Sequence, residues 1–149
     1  MDYATDLLAH GVTVVSAQHE GRVGGLAVAW ATQVSPKRIL ICVGKQSTTR
    51  ELILGSGAFT VNALRTDQLE VARRFGKGHS AQTDKFEGIP WHAGDSGAPV
   101  LDDCAAWFEC RVVDTFELDD GHLLLIGEIA AGEVREPDAE RLIYRQSDY

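Results

Sequence analysis

The sequence predicts a mostly β protein, a β-barrel carrying helical excursions, and three observations lead there. Six strand-sized runs, apolar or alternating, are separated by Gly, Pro and polar residues. The two longest flank an Asp-Gly turn, and only two stretches carry helical spacing.

Residues 12–17 (VTVVSA) form the first run, followed by 25–30 (GLAVAW), 38–43 (RILICV) and 58–64 (AFTVNAL). Each is the length of one strand. Residues 105–118 and 122–134 are longer and are separated by Asp119-Asp120-Gly121. Asp and Gly tolerate the positive φ of a tight hairpin turn, so these two runs are expected to pair antiparallel. Helix is expected over 47–54, stopped by Gly55, and over 66–75, where Leu69, Ala72 and Arg73 recur at helical spacing before Gly76. With no repeat, linker or low-complexity tract, residues 1–149 read as a single domain, within the usual size of about 100–150 residues.

Composition removes several function classes. Hydrophobic residues make up 44% of the chain and charged residues 24%, which is a folding composition rather than a disordered one. The net charge is −8 and the basic residues form no stripe, so nothing is arranged to neutralise a nucleic-acid backbone. The longest apolar run, Leu123-Leu124-Leu125-Ile126, is far short of the roughly 20 residues of a membrane span. The start, Met1-Asp2-Tyr3-Ala4, has no basic and apolar leader pattern, so a cytoplasmic protein is expected. Cys42, Cys104 and Cys110 are odd in number and lack Cys-x-x-Cys spacing, and are read as buried, reduced thiols.

The most informative local chemistry is Lys45-Gln46-Ser47-Thr48-Thr49-Arg50-Glu51, where hydroxyls and cations surround an expected helix start. Open N–H groups and the helix dipole make such a terminus an anion site. The competing reading is a capping box, Thr48 with Glu51, which closes the same N–H groups for stability alone. No nucleophile elbow, phosphate loop, paired-histidine zinc motif or dinucleotide fingerprint is present, and no metal site is expected. His10, His19, His79, His92 and His122 are dispersed without ligand spacing. Flavin chemistry is compatible with this silence, because the cofactor carries the reactivity and the protein supplies a slot, a phosphate anchor and orientation.

The order of motifs along nearly the whole chain resembles the flavin reductase-like FMN-binding family. The landmarks are Gly11-Val12-Thr13-Val14-Val15, the stretch 25–35, Ser56-Gly57-Ala58-Phe59-Thr60-Val61-Asn62-Ala63-Leu64, Asp84-Lys85-Phe86, Trp107-Phe108-Glu109-Cys110, the stretch 121–129, and Leu142-Ile143-Tyr144-Arg145 with Tyr149. The resemblance implies a split β-barrel with two or more short helices, a homodimer whose interface helps form the flavin site, and reduction of FMN, or alternatively FAD, by NADH or NADPH. Reduced flavin or electrons would pass to an oxygenase or a small electron-carrier protein.

Residue by residue, Ala27, Val28, Ala29, Trp30, Ala31, Thr32, Gln33, Val34 and Ser35 match the segment along the isoalloxazine and ribityl chain. Lys45, Ser47, Thr48 and Thr49 match the polar segment near the phosphate. Lys85 is either a cation balancing the phosphate or serving the interface, or a solvated charge. His122 matches the histidine of the family's Gly-Asp-His turn, where nicotinamide approaches, although the order here is Asp120-Gly121-His122; an ordinary hairpin histidine is the alternative. Val28-Ala29-Trp30-Ala31 replaces the family's hydroxyl-bearing strand, leaving backbone groups to serve the ring edge. Trp30 is read as a core residue ahead of a stacking one. The leading function is an NAD(P)H-dependent flavin reductase, with a non-catalytic FMN-binding electron-transfer protein and a flavin-free binding barrel as rivals.

Overall fold

The computed structural model describes residues 4–76 and 84–149; His79 lies outside them. The strands are β1 (Thr13–His19), β2 (Arg22–Val28), β3 (Ala31–Ser35), β4 (Arg38–Val43), β5 (Ala58–Ala63), β6 (Trp91–Ala93), β7 (Pro99–Leu101), β8 (Ala106–Glu117) and β9 (Leu123–Val134). Helix α1 (Thr48–Ser56) follows β4 and α2 (Leu69–Phe75) follows β5. Seven strands form one antiparallel sheet in the order β2-β1-β5-β8-β9-β4-β3, while β6 and β7 form a separate hairpin.

The two edge strands, β2 and β3, are consecutive in sequence and joined only by Ala29 and Trp30. The sheet must therefore curl until its edges approach. Among the described residues no ladder joins them, so the barrel expected from the residue pattern is not closed. The chain leaves the β1 ladder after Val28 and pairs with β4 instead, where the Cys42 N–H donates to Trp30 O at 2.9 Å. The single run expected over 25–30 thus ends as a strand at Val28, and Ala29 and Trp30 form the link to the opposite edge of the sheet.

β1 explains the continuous apolar run at 12–17, because it is covered on both faces. Val15 packs among Val28, Ile41, Ile53, Phe59 and Leu125. Val14, on the opposite face by the two-residue period, packs with Leu64, Ala72, Phe75, Phe86 and Leu101. α1 lies against β1 and β2, and α2 against β2. Gly25 makes the second contact possible, since a Cβ there would stand 3.0 Å from both the Phe75 and Phe86 rings.

Several local expectations need correction. α1 runs through Gly55 to Ser56 and ends at Gly57, whose φ is +75° and whose N–H donates to Ile53 O at 2.7 Å. Gly55 serves close packing instead, because a Cβ there would sit 2.5 Å from the His19 ring. The stretch 66–75 begins as a 3-10 turn and becomes α-helical only at Leu69. β8 and β9 pair as expected, but only Gly121 of the turn takes positive φ, +93°. Leu118 N–H donates to His122 O at 2.8 Å and Gly121 N–H to Leu118 O at 3.0 Å, giving a three-residue loop with a left-handed glycine. β6 and β7, three residues each, are too short to leave a periodic signal.

Among the described residues no element covers one face of the β3-β4-β9-β8 region. Cys42 pairs with Leu124 and Leu124 with Phe116, so their side chains share one row, beside the row of Leu40 and Ile126. Phe116 is 51% exposed and Val34 50%. Glu128, the next residue on this face of β9, lies 3.7 Å from both Arg38 and Arg111, so an ionic rim borders the apolar rows.

Candidate functional site

Two contiguous chambers run along the edge strand β2. The larger, about 300 Å³, lies between β2, the start of α1 and the end of α2. The smaller, about 190 Å³, lies between the end of β2, the end of β4 and the β8-β9 turn. Leu26, Ala27 and Gly44 line both. As an edge strand, β2 has one row of backbone groups outside the ladder.

The larger chamber has a positive end. Ser47, extended at φ −84° and ψ 125°, is the N-cap of α1, and its Oγ accepts from Arg50 N–H at 3.2 Å. The capping box expected of Thr48 and Glu51 is therefore not formed. Thr48 is already helical, and Arg50 rather than Glu51 occupies the third helical position. Thr48 and Thr49 have N–H groups with no acceptor within the helix, and both residues line the chamber.

Lys85 lines the same end and is only 4% exposed, which rules out a solvated charge. Its Nζ donates to Gly25 O at 3.3 Å and to Phe75 O at 3.2 Å. Burial pushes its pKa below the usual lysine value, and no carboxylate counters this among the described residues. A buried ammonium beside open helix N–H groups suits a phosphate. Arg50 is occupied elsewhere, donating to Gly121 O at 2.8 Å and reaching Glu117. Lys45 is exposed, with its methylenes over Gly121, and does not line the chamber.

The smaller chamber is walled by Val28, Ala29, Trp30, Cys42 and His122. Trp30 is 55% exposed and meets the His122 ring edge-on, with centroids 5.6 Å apart and planes at 65°. The core assignment of Trp30 is thus overturned: the break after β2 turns its side chain out of the core. His122 Nδ1 lies 3.1 Å from Asp120 Oδ1, an oxygen that also accepts the His122 backbone N–H at 2.9 Å. These contacts hold the Asp120 carboxyl below its ordinary range. Burial, and then the Asp120 charge, push the Cys42 thiol up, so it favours the protonated form.

The chambers therefore gather Ala27, Val28, Ala29, Trp30, Ser47, Thr48, Thr49, Lys85 and His122. Ala31, Thr32, Gln33, Val34 and Ser35 lie on the β3 edge and do not line either chamber within one chain. Sequence patterns also missed Leu26, Gly44, Gln46, Phe75 and Gly76; of these, Phe75 and Gly76 arrive because α2 packs across Gly25. Gly76 had been visible as a helix stop, but nothing local marked it as a wall.

The family description "Flavin reductase like domain" matches residues 5–149. A flavin reductase of Pseudomonas putida is 33% identical over 138 residues, covering 91% of this chain and 79% of that protein. The reductase subunit of a flavin-dependent monooxygenase from Mycobacterium tuberculosis is 31% identical over 142 residues, covering 93% and 74%. The chain spans only 40% of the length of a Rhizobium meliloti relative that is 36% identical over 128 residues. Among solved structures, the NADH:FAD oxidoreductase of Streptomyces globisporus with NAD and FAD fragments superimposes with a TM-score of 0.84 at 29% identity, covering 93% of this chain and 82% of that one. With the family match extending from residue 5 to residue 149 and sequence relatives above 30% identity, the chain belongs to the flavin reductase-like family.

Proposed function

We propose that the protein is an FMN-binding flavin reductase, passing hydride from NADH or NADPH to flavin and reduced flavin to an oxygenase partner. The observation that carries this reading is the continuity of the two chambers, with a buried lysine that no carboxylate partners among the described residues and a helix N-terminus at one end, and a slot bordered by Trp30 and His122 at the other. The chemistry of this donor set fits a flavin mononucleotide. When bound, flavin supplies a two-electron acceptor that the chain's own side chains lack.

In this reading, Lys85 and the N–H groups of Thr48 and Thr49 hold the phosphate. Backbone groups of residues 27–30 serve the ring edge, and Trp30 and His122 flank the side where nicotinamide enters. The names of the monooxygenase subunit and of the NADH:FAD oxidoreductase support an oxygenase partner and a nicotinamide donor.

The proposal includes a split-barrel homodimer acting in the cytoplasm. The bare apolar rows of Leu40, Ile126, Cys42, Leu124 and Phe116, bordered by an ionic rim, support self-association, and they lie beside the smaller chamber through Cys42. A second copy there would also bring the exposed β3 residues toward the flavin site. No helix among the described residues is long and apolar enough to cross a membrane.

The test is the visible spectrum of the purified protein with FMN, before and after anaerobic NADH or NADPH. Bleaching of bound flavin supports the reductase. A flavin spectrum unmoved by both donors assigns an electron carrier, and failure to take up flavin overturns the flavin site altogether.

A further inference from the structure

Where α2 ends, the wall of the larger chamber meets an aromatic pair that takes no part in holding a flavin mononucleotide. Gly76, which closes α2, lines the chamber, and a Cβ there would stand 4.0 Å from Tyr149 Cδ1. Tyr149 stacks on Tyr144, with centroids 5.2 Å apart and planes at 23°. Both rings stay open to solvent, Tyr144 at 40% exposure and Tyr149 at 45%.

The pair is held from two sides by backbone ties. Tyr144 N–H donates to His10 O at 2.8 Å, and the adjacent Ile143 bridges Gly11. Tyr149 follows a 3-10 turn, Gln146–Asp148, and its N–H donates to Gln146 O at 3.1 Å. Arg73 Nε donates to Asp148 O at 2.7 Å, which fastens that turn to the helix whose end lines the chamber. The rings are therefore fixed before any ligand arrives, so little ordering cost is left for stacking upon them.

Two parallel, half-exposed rings offer a face that a flat heteroaromatic base can cover. Cations stand at the same end of the chamber. Lys85 is inside it, and the exposed Arg74 donates to Asp84 O at 3.2 Å, one residue before Lys85. Phosphate-suited groups in the chamber and an aromatic stack next to its wall match a pyrophosphate that ends in a base.

We infer that the Tyr144–Tyr149 stack is an adenine subsite, holding the adenylate half of FAD beyond the phosphate end of the flavin chamber. This rests on the flavin reading for the chamber itself and extends its ligand from mononucleotide to dinucleotide. NADH carries the same base, but its nicotinamide enters beside Trp30 and His122 at the other end. The adenylate attached to the flavin phosphate has the shorter route to the stack.

The experiment titrates the full chain with FAD, FMN and riboflavin by calorimetry. The original protein should bind FAD at least about fivefold more tightly than FMN, as one stacked base provides. Tyr149→Ala should weaken FAD by about five- to 150-fold and erase that preference, while FMN and riboflavin change less than about twofold. Tyr149→Phe, which keeps the ring, should retain the preference, and Tyr144→Ala should lose part of it. The source of the base is tested on FMN-loaded protein with NADH against reduced nicotinamide mononucleotide, whose KM ratio should be the same in the original protein and in Tyr149→Ala. Equal losses of FAD and FMN affinity in Tyr149→Ala, or a change confined to the KM for NADH, would overturn the inference. FMN binding by the original protein with no preference for FAD would remove the adenine subsite and leave the flavin reading standing. Failure to bind any of the three flavins would remove both.

Discussion

Replacing Lys85 by Met separates a phosphate anchor from a buried structural lysine. Lys85 is 4% exposed, has no carboxylate partner among the described residues and stands at the end of the chamber that also holds the start of α1. A hydrogen bond to a charged group contributes about 1.5–3 kcal/mol, so removing it should weaken FMN by about 10- to 150-fold. Riboflavin, which has no phosphate, should change less than about twofold. The assay is fluorescence titration with both flavins on the same variant, so general loosening of the fold cancels. Lys85→Gln, which can still donate to the Gly25 or Phe75 carbonyl, controls for lost backbone contacts and should show the same discrimination. Lys45→Ala should be nearly silent, because that side chain lies over Gly121 outside the chamber. Equal losses of FMN and riboflavin affinity in both Lys85 variants would refute the anchor.

The same lysine has a stability signature in the flavin-free protein. Burial lowers its pKa in the fold below the ordinary value of 10.5, so the unfolded chain holds the proton more tightly. The penalty is fully present below the folded pKa and fades as pH rises toward 10.5, so this group makes stability increase with alkaline pH. Urea titrations should show that upward slope in the original protein and its loss in Lys85→Met.

Other outcomes test the frame around the site. Gly127→Ala would place a Cβ 2.6 Å from both Phe59 Cζ and Cys110 Cβ, and should destabilise by about 1–3 kcal/mol, with partial relief from Phe59→Leu in a denaturation cycle. Asp103 is held below its usual range first by the hydrogen bond from Arg65, so its contribution should be present above about pH 3.8 and disappear as pH falls through the lower folded value. At neutral pH, Asp103→Asn should cost no more than about 1 kcal/mol, because the pair is largely solvent-screened, and the gap from the original protein should close in acid. Phe116→Asp should shift a dimer to monomer in light scattering, and a purely monomeric original protein at micromolar concentration would refute the proposed interface. The Cys110 thiol, pushed up to about 12 by burial, should alkylate only after unfolding.

The strands were legible because their cause is local. Residues 38–43 and 58–64 alternate or run apolar over one strand length; β4 occupies the first and β5 the second up to Ala63. The β8-β9 hairpin was marked by Gly121, and the anion-binding character of the α1 start by its hydroxyls, although the cap fell on Ser47 rather than Thr48. Lys85 and His122 were visible as types without an environment: only the packing of α2 and β2 buries one, and only the turn geometry brings Asp120 onto the other. Trp30 was misplaced because hydrophobicity says a side chain prefers cover, not whether the strand carrying it continues. The sequence by itself determined where most of the long strands run, the β8-β9 turn and which residues carry charge. The tertiary structure alone decided that β2 and β3 part at residues 29–30, that Gly25 admits two aromatic rings, and that residues near 27, 48, 85 and 122 border connected chambers. Periodicity is a property of a few consecutive residues, whereas a site is a coincidence of distant ones, produced by the curl of the whole sheet.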